Sequence, residues 1–157
     1  TLARCLGETL GVVPIDLDGV YWEPDAPGVA RPLETACADL CAQVTGGDAW
    51  VVEGCYEELA QTLFDFTPTL LWLDPGEAIC LEHCRRRPWE PHKYPTPQAQ
   101  DANLAMLLEW VQHHYTREGA LSYAAHRALF DAYDGPKHHL RRTYSVEELQ
   151  RLLESAA

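Results

Sequence analysis

Positive charge is scarce in the first half of this chain. Between Arg4 and Arg85 the only basic residue is Arg31, set against fifteen Asp and Glu, and the formal net charge is −12. That balance argues against a nucleic-acid binder, which needs basic surface to neutralise phosphates. There is no long apolar run, so no helical membrane span is expected. No basic-then-apolar leader is visible. CxxC pairs are missing too: the six cysteines are Cys5, Cys37, Cys41, Cys55, Cys80 and Cys84. Two pairs sit four apart on predicted helices, where small buried thiols are common. Reduced thiols in a cytoplasmic protein are the default reading, with a zinc site from Cys80, His83 and Cys84 as the metal alternative. Internal repeats, low-complexity tracts and a second core are also lacking. One domain over residues 1–157, long enough for a real core, is expected.

What is present is an alternation of short apolar runs and amphipathic stretches. Leu2, Cys5, Leu6 and Leu10 follow helical spacing and Gly11 ends the run. That helix starts at the first residue, with no cap in front of it. Val12 to Asp16 reads as a strand, followed by Leu17-Asp18-Gly19 and a Pro/Gly-rich loop. Leu33, Ala36, Cys37, Leu40, Cys41 and Val44 predict a second helix, closed by Gly46-Gly47. Trp50 to Glu53 reads as a strand ending at Gly54, and Tyr56 to Phe64 as a third helix.

The chain is organised around Leu70 to Trp89. Leu70-Leu71-Trp72-Leu73 predicts a buried strand closing on Asp74-Pro75-Gly76. Glu77 to Arg87 predicts a helix whose last turn carries Arg85, Arg86 and Arg87, with Pro88 stopping it. A carboxylate at a strand's carboxyl end facing arginines is ligand-site geometry in α/β proteins. Cations also complement the dipole at any helix C-terminus. After the proline-rich stretch Pro88–Pro97 come a helix capped by Thr96, a helix capped by Ser122, a weak polar strand over Lys137–Thr143, and a last helix opened by a Ser145/Glu148 capping box. Helices alternating with strands predict an α/β fold, a parallel sheet covered by helices on both faces. Residues 88–134 are longer than an ordinary crossover and read as an inserted helical lid.

Several motifs resemble those of phosphate-loop small-molecule kinases. Thr1-Leu2-Ala3-Arg4 looks like the residues that follow GK[ST] in that family. Ile15-Asp16-Leu17-Asp18 resembles the DxD at the end of the second strand in shikimate-kinase-like proteins. Asp18-Gly19-Val20-Tyr21-Trp22 and Trp50-Val51-Val52-Glu53-Gly54-Cys55-Tyr56 are similar to motifs of adenylate-kinase-like proteins, often labelled AAA-family ATPases. Leu71-Trp72-Leu73-Asp74 and the run from Arg85 through Trp89-Glu90-Pro91-His92-Lys93-Tyr94 extend the likeness. It implies a P-loop-type three-layer sandwich and ATP-dependent transfer of the γ-phosphoryl to a hydroxyl acceptor, with Mg²⁺. The family's first strand and glycine loop, GxxxxGK[ST], do not occur in this sequence. The resemblance therefore implies either a kinase whose loop lies upstream of Thr1 or a non-catalytic binding module that lost the nucleotide site.

The same likeness assigns expected roles. Asp18 would accept a hydrogen bond from the attacking hydroxyl, and Asp16 or Asp74 would hold Mg²⁺. Thr1 and one or two of Arg85, Arg86 and Arg87 would face the nucleotide, with Arg85 and Arg86 assisting transfer. Asp16, Asp18, Tyr21, Trp22, Glu53, Gly54 and Tyr56 would line the acceptor pocket. Asp16 and Asp18, two apart on an extended strand, would point to one face. His92, Lys93, Arg117, His126, Arg127 and Lys137 are lid candidates. His113-His114 and His138-His139 read as exposed pairs. The acceptor segments 16–32 and 53–66 hold one basic residue, Arg31, and eight carboxylates. An acceptor phosphate is usually gripped by arginines, so a neutral or cationic hydroxyl compound is expected rather than a nucleoside monophosphate.

Overall fold

The computed structural model describes every residue except Pro27, His92 and 155–157. His92 thus lies outside the described residues. In chain order the elements are α1 (Leu2–Leu10), β1 (Ile15–Asp16), α2 (Leu17–Tyr21), α3 (Leu33–Thr45), β2 (Val52–Glu53), α4 (Glu57–Thr62), β3 (Leu70–Leu73), α5 (Glu77–Arg85), α6 (Pro97–Gln112), α7 (Tyr123–Ala132), β4 (Lys137–Leu140) and α8 (Val146–Glu154). Short 3-10 turns follow α4 and α6.

The expected parallel sheet with helices on both faces, the P-loop-type three-layer sandwich, is not what forms. Most of the described residues are helical, and the strands among them are only two or four residues long. β1 pairs with β2 and β3 pairs with β4, both parallel, as two separate two-stranded sheets. The physical reason is local. Pro14 has no N–H to extend β1 backwards, and Asp16 turns at once into the N-cap of α2. Gly54, at φ 153°, takes the backbone out of the strand region just after β2. Asp18, expected with Asp16 on an extended strand, therefore lies in the first turn of a helix.

The helical periodicity reads through cleanly. Ala36, Leu40 and Val44 of α3 are fully or almost fully buried and pack with Leu17, Val20, Tyr56, Leu59 and Leu63. That spacing of three and four residues is the signature of one helix face. A second cluster joins Leu6 of α1, Leu140 of β4 and Leu149 of α8, with Val51 and Leu71 packed against it. Val51 precedes β2 and Leu71 belongs to β3, so apolar side chains bring the two strand pairs to one cluster where no ladder joins them.

Thr1 is the N-cap of α1, its hydroxyl accepting the Arg4 amide. The helix thus begins one residue later than expected and is capped. In the 88–134 segment, α6 packs on α5 while α7 packs on β3 and α4. Trp72 of β3 meets Tyr123 and Phe130 of α7.

Candidate functional site

The ladder of the first strand pair sets Asp16 opposite Glu53. Asp16 ends β1 and caps α2, its Oδ1 accepting the Asp18 amide at 3.0 Å. Asp18 sits in the first helical turn. The two carboxylates thus converge through a cap and a turn, not through strand alternation. Gly54 makes this corner possible: a Cβ added there would come within 2.5 Å of Leu17 Cβ. Gly54, expected to line the acceptor pocket, packs against the Leu17 side chain.

Asp18 is the hub. The Tyr56 hydroxyl donates to its Oδ1 at 2.6 Å and the Lys93 ammonium donates to its Oδ2 at 2.6 Å. Lys93 also lies 3.2 Å from Asp16 Oδ2. The Trp22 indole N–H donates to the Tyr56 oxygen at 2.8 Å, and Tyr21 stacks on Tyr56 with ring centres 4.1 Å apart. Burial opposes ionisation of Asp18, but the bonds from Lys93 and Tyr56 and the charges of Lys93 and Arg87 outweigh it and hold the carboxyl below the usual aspartate range. Burial pulls the Lys93 ammonium down, and the Asp18 bond with the charges of Asp18 and Asp16 more than offsets it, so Lys93 ends raised. Burial, then Asp18, pushes the Tyr56 phenol up, keeping it a donor.

Of the expected acceptor residues, Asp16, Asp18, Tyr21, Trp22 and Tyr56 come together here. Thr1, expected at the nucleotide, donates its hydroxyl to Glu53 Oε1 at 3.0 Å. Asp74 belongs to the other strand pair. Its Oδ1 accepts from the Tyr115 hydroxyl at 2.6 Å and its Oδ2 meets His139 Nε2 at 2.9 Å. Arg141 Nε donates to His139 Nδ1 at 3.3 Å. Arg is always a donor, so Nδ1 accepts and Nε2 carries the proton that goes to Asp74. His139 stacks on Trp72 at 4.0 Å. The pair His138-His139, expected exposed, is half-buried, because β4 pairs with β3 along its whole length and lays His139 on Trp72.

Arg85, Arg86 and Arg87 are exposed. Arg86 pairs with Glu82 at 2.8 Å and Arg87 with Glu90 at 3.1 Å. Arg85 and Arg87 line a narrow crevice between α5 and α6. Of the lid cations that are described, Lys93 alone hydrogen-bonds to the Asp16/Asp18 pair. Arg117 lies over the Trp110 ring, His126 meets the Cys55 carbonyl, Arg127 pairs with Asp131, and Lys137 donates to carbonyls at the end of α7. Lys93 was one name among six in the sequence. Its place in the proline-rich stretch is shared with His92 and names no partner.

A nucleotide and its Mg²⁺ fit these residues poorly. Neither lysine of the chain follows a glycine, so no phosphate loop exists in this sequence. Asp74 has both oxygens bonded, and the Lys93 ammonium already stands between Asp16 and Asp18. Among the described residues no group of three His, Cys, Asp or Glu is placed to hold a metal ion, Cys80, His83 and Cys84 included. What the arrangement can do is present a fixed carboxylate, flanked by a phenol, an ammonium and aromatic faces, to a small polar molecule. No protein-family model, no curated protein and no solved structure matches this chain.

Proposed function

We propose that this chain is the acceptor-binding portion of an ATP-dependent phosphotransferase acting on a small hydroxyl compound. The observation that carries the reading is Asp18: an ionised, half-exposed carboxylate just past a strand end, oriented by Tyr56 and Lys93 and walled by Tyr21 and Trp22. A carboxylate so held can accept a hydrogen bond from a hydroxyl and orient it for attack. On this reading the phosphate loop comes from outside these residues, and Arg85, on exposed surface beside α6, is the arginine placed to reach a nucleotide. The acceptor is neutral or cationic, because the corner contributes Asp16, Asp18 and Glu53 against one ammonium.

Two measurements test this. The coding frame upstream of Thr1 should encode a strand followed by GxxxxGK[ST], and the protein so extended should release ADP when offered Mg-ATP and a hydroxyl acceptor. Residues 1–157 alone should bind Mg-ATP weakly by isothermal titration. Low-micromolar binding by residues 1–157 alone, or an upstream frame without the loop, would defeat the proposal. The latter outcome favours the second reading, a non-catalytic binding module.

A further inference from the structure

The ammonium of Lys93 stands in a setting that does not need the rest of that lysine. Asp16 is fixed by its cap to the Asp18 amide, and Asp18 Oδ1 is fixed by Tyr56, which Trp22 and Tyr21 hold in turn. Every one of these contacts is made among residues 16 to 56. Lys93 arrives from a different part of the chain. The other side chains of its stretch bond locally: Trp89 to the Tyr94 carbonyl, Glu90 to Arg87, Tyr94 to Asn103 of α6. Lys93 is the side chain of that stretch, among the described residues, that hydrogen-bonds across to Asp16 and Asp18. The Lys93 side chain is also 24% exposed.

We propose that Asp16 and Asp18 form a subsite for the ammonium group of a small amino alcohol, which Lys93 fills from within the chain until such a compound takes its place. The inference rests on Asp18 being the acceptor-binding carboxylate. The exchange is like for like. A primary ammonium offers the same N–H donors to the same two oxygens, and the charge of the carboxylate pair stays compensated. A neutral sugar cannot supply that charge, and a phosphate is repelled by it. A quaternary ammonium carries the charge without the donors. The lysine stem is flexible and its head is compact and readily hydrated, so it withdraws without disturbing the corner it leaves. An amino alcohol seated by its ammonium brings its hydroxyl beside Asp18, whose oxygens retain unused lone pairs. Tyr21 and Trp22, both partly exposed, supply aromatic faces for the carbon frame and cation.

The chain has two lysines, Lys93 and Lys137, so selective ¹³C labelling of lysine yields two Cε signals to follow. Titrating ethanolamine into the full chain should move the Lys93 signal saturably and leave Lys137 in place. Matched sodium chloride or tetramethylammonium chloride should not reproduce the shift. Lys93→Met, with no internal competitor, should bind ethanolamine about tenfold tighter than the native chain, since the occupied fraction discounts the apparent affinity. Asp18→Asn should lose the response. A Lys93 signal that responds to ethanolamine and to matched salt alike, or not at all, overturns the subsite, as does a folded Lys93→Met chain that binds no tighter. If Lys93→Met does not fold by circular dichroism, the native titration decides alone. None of these readouts uses ATP. Ethanolamine displacement without ADP release from the extended protein therefore leaves the subsite standing and removes the phosphotransferase, and turnover of neutral sugars without displacement does the reverse.

Discussion

Asp18 and Asp74 are bonded alike and placed differently. Each lies just beyond a strand of a two-stranded parallel pair, takes a tyrosine hydroxyl on one oxygen at 2.6 Å, and meets a nitrogen on the other, Lys93 at 2.6 Å or His139 at 2.9 Å. Asp74 and His139 are 14% and 15% exposed, whereas Asp18 is 42% exposed. His139 is a strand neighbour, locked under Trp72 and braced by Arg141. Lys93 comes from an irregular stretch, with no strand or helix among the described residues to anchor it. The same hydrogen-bond pattern thus makes a structural tie in one half and an open site in the other. Bond lengths do not separate them; the partner's own anchorage and the water around it do.

The largest test of this contrast lies in the two glycines beside the carboxylates. Gly54 has φ 153° and no room for a Cβ, which would meet Leu17 at 2.5 Å. Gly76 has φ 94° with open space around it. Gly54→Ala carries both backbone strain and overpacking, and should destabilise by about 4 kcal/mol. Gly76→Ala carries strain alone and should cost about half that. Thermal melts of the two variants check the ratio, and equal losses would mean that the Asp16/Asp18 corner is no tighter than its counterpart.

Next in size is the aspartate exchange itself. Asp74→Ala leaves the Tyr115 hydroxyl and His139 Nε2–H without their acceptor in a poorly hydrated place. A loss of about 3 kcal/mol is expected, or roughly 6–12 °C in melting temperature for a chain of this length. Asp18→Asn keeps its size, its amide oxygen can still accept from the Tyr56 hydroxyl, and Lys93 is partly exposed, so it should cost less than about 1 kcal/mol. In the extended protein Asp18→Asn should nevertheless abolish ADP release with a hydroxyl acceptor, while Asp74→Asn lowers stability first. An active Asp18→Asn enzyme would return Asp18 to the role of an ordinary solvated acid.

Apart from the short α2, the helices were legible in the sequence because their signal is local. Leu33, Ala36, Leu40 and Val44 repeat at three and four, and Thr96, Ser122 and Ser145 mark starts that their side chains then cap. The strand centres at Ile15, Val52 and Leu70–Leu73 were legible too. A continuous sheet was not, because apolar runs show where strands lie and not whether two pairs share a ladder. The fold class therefore went to α/β while the chain builds mostly helix around two short pairs. The Asp16/Asp18 convergence was legible by spacing, although a cap produces it. Lys93 is 75 residues from Asp18 in sequence, a separation at which no local pattern assigns a partner. His139 failed for the same reason: a polar strand end looks exposed until Trp72 covers it.

Acid should separate the two halves with the smallest effect. His114 belongs to the Asp74 half, edge-on to Tyr115 and Tyr123. Burial, then the charge of His126, lowers its pKa below the ordinary histidine value of 6.5, with Arg117 adding to this and Asp74 and the Leu121 carbonyl opposing it. A histidine lowered on folding binds its proton more readily in the unfolded chain. Stability is therefore complete above the unfolded pKa and declines as pH falls below about 6.5, ceasing to decline once the folded pKa is passed. Asp18 is lowered as well, below the ordinary aspartate value of 3.8, so its contribution is complete above that value and is lost only as pH falls through its lower folded pKa. Lys93 is raised above 10.5, so its contribution is complete below that value and lost as pH rises through the folded pKa. The gap in melting temperature between native and Lys93→Met chains should stay flat from weakly acid to weakly alkaline pH. The gap between native and His114→Gln chains should already change between pH 7 and 5, with the variant losing less on acidification. A Lys93→Met gap that narrows in that same interval would show that the Asp18 corner titrates with the histidines, and the division of the molecule into a tied half and an open half would fall.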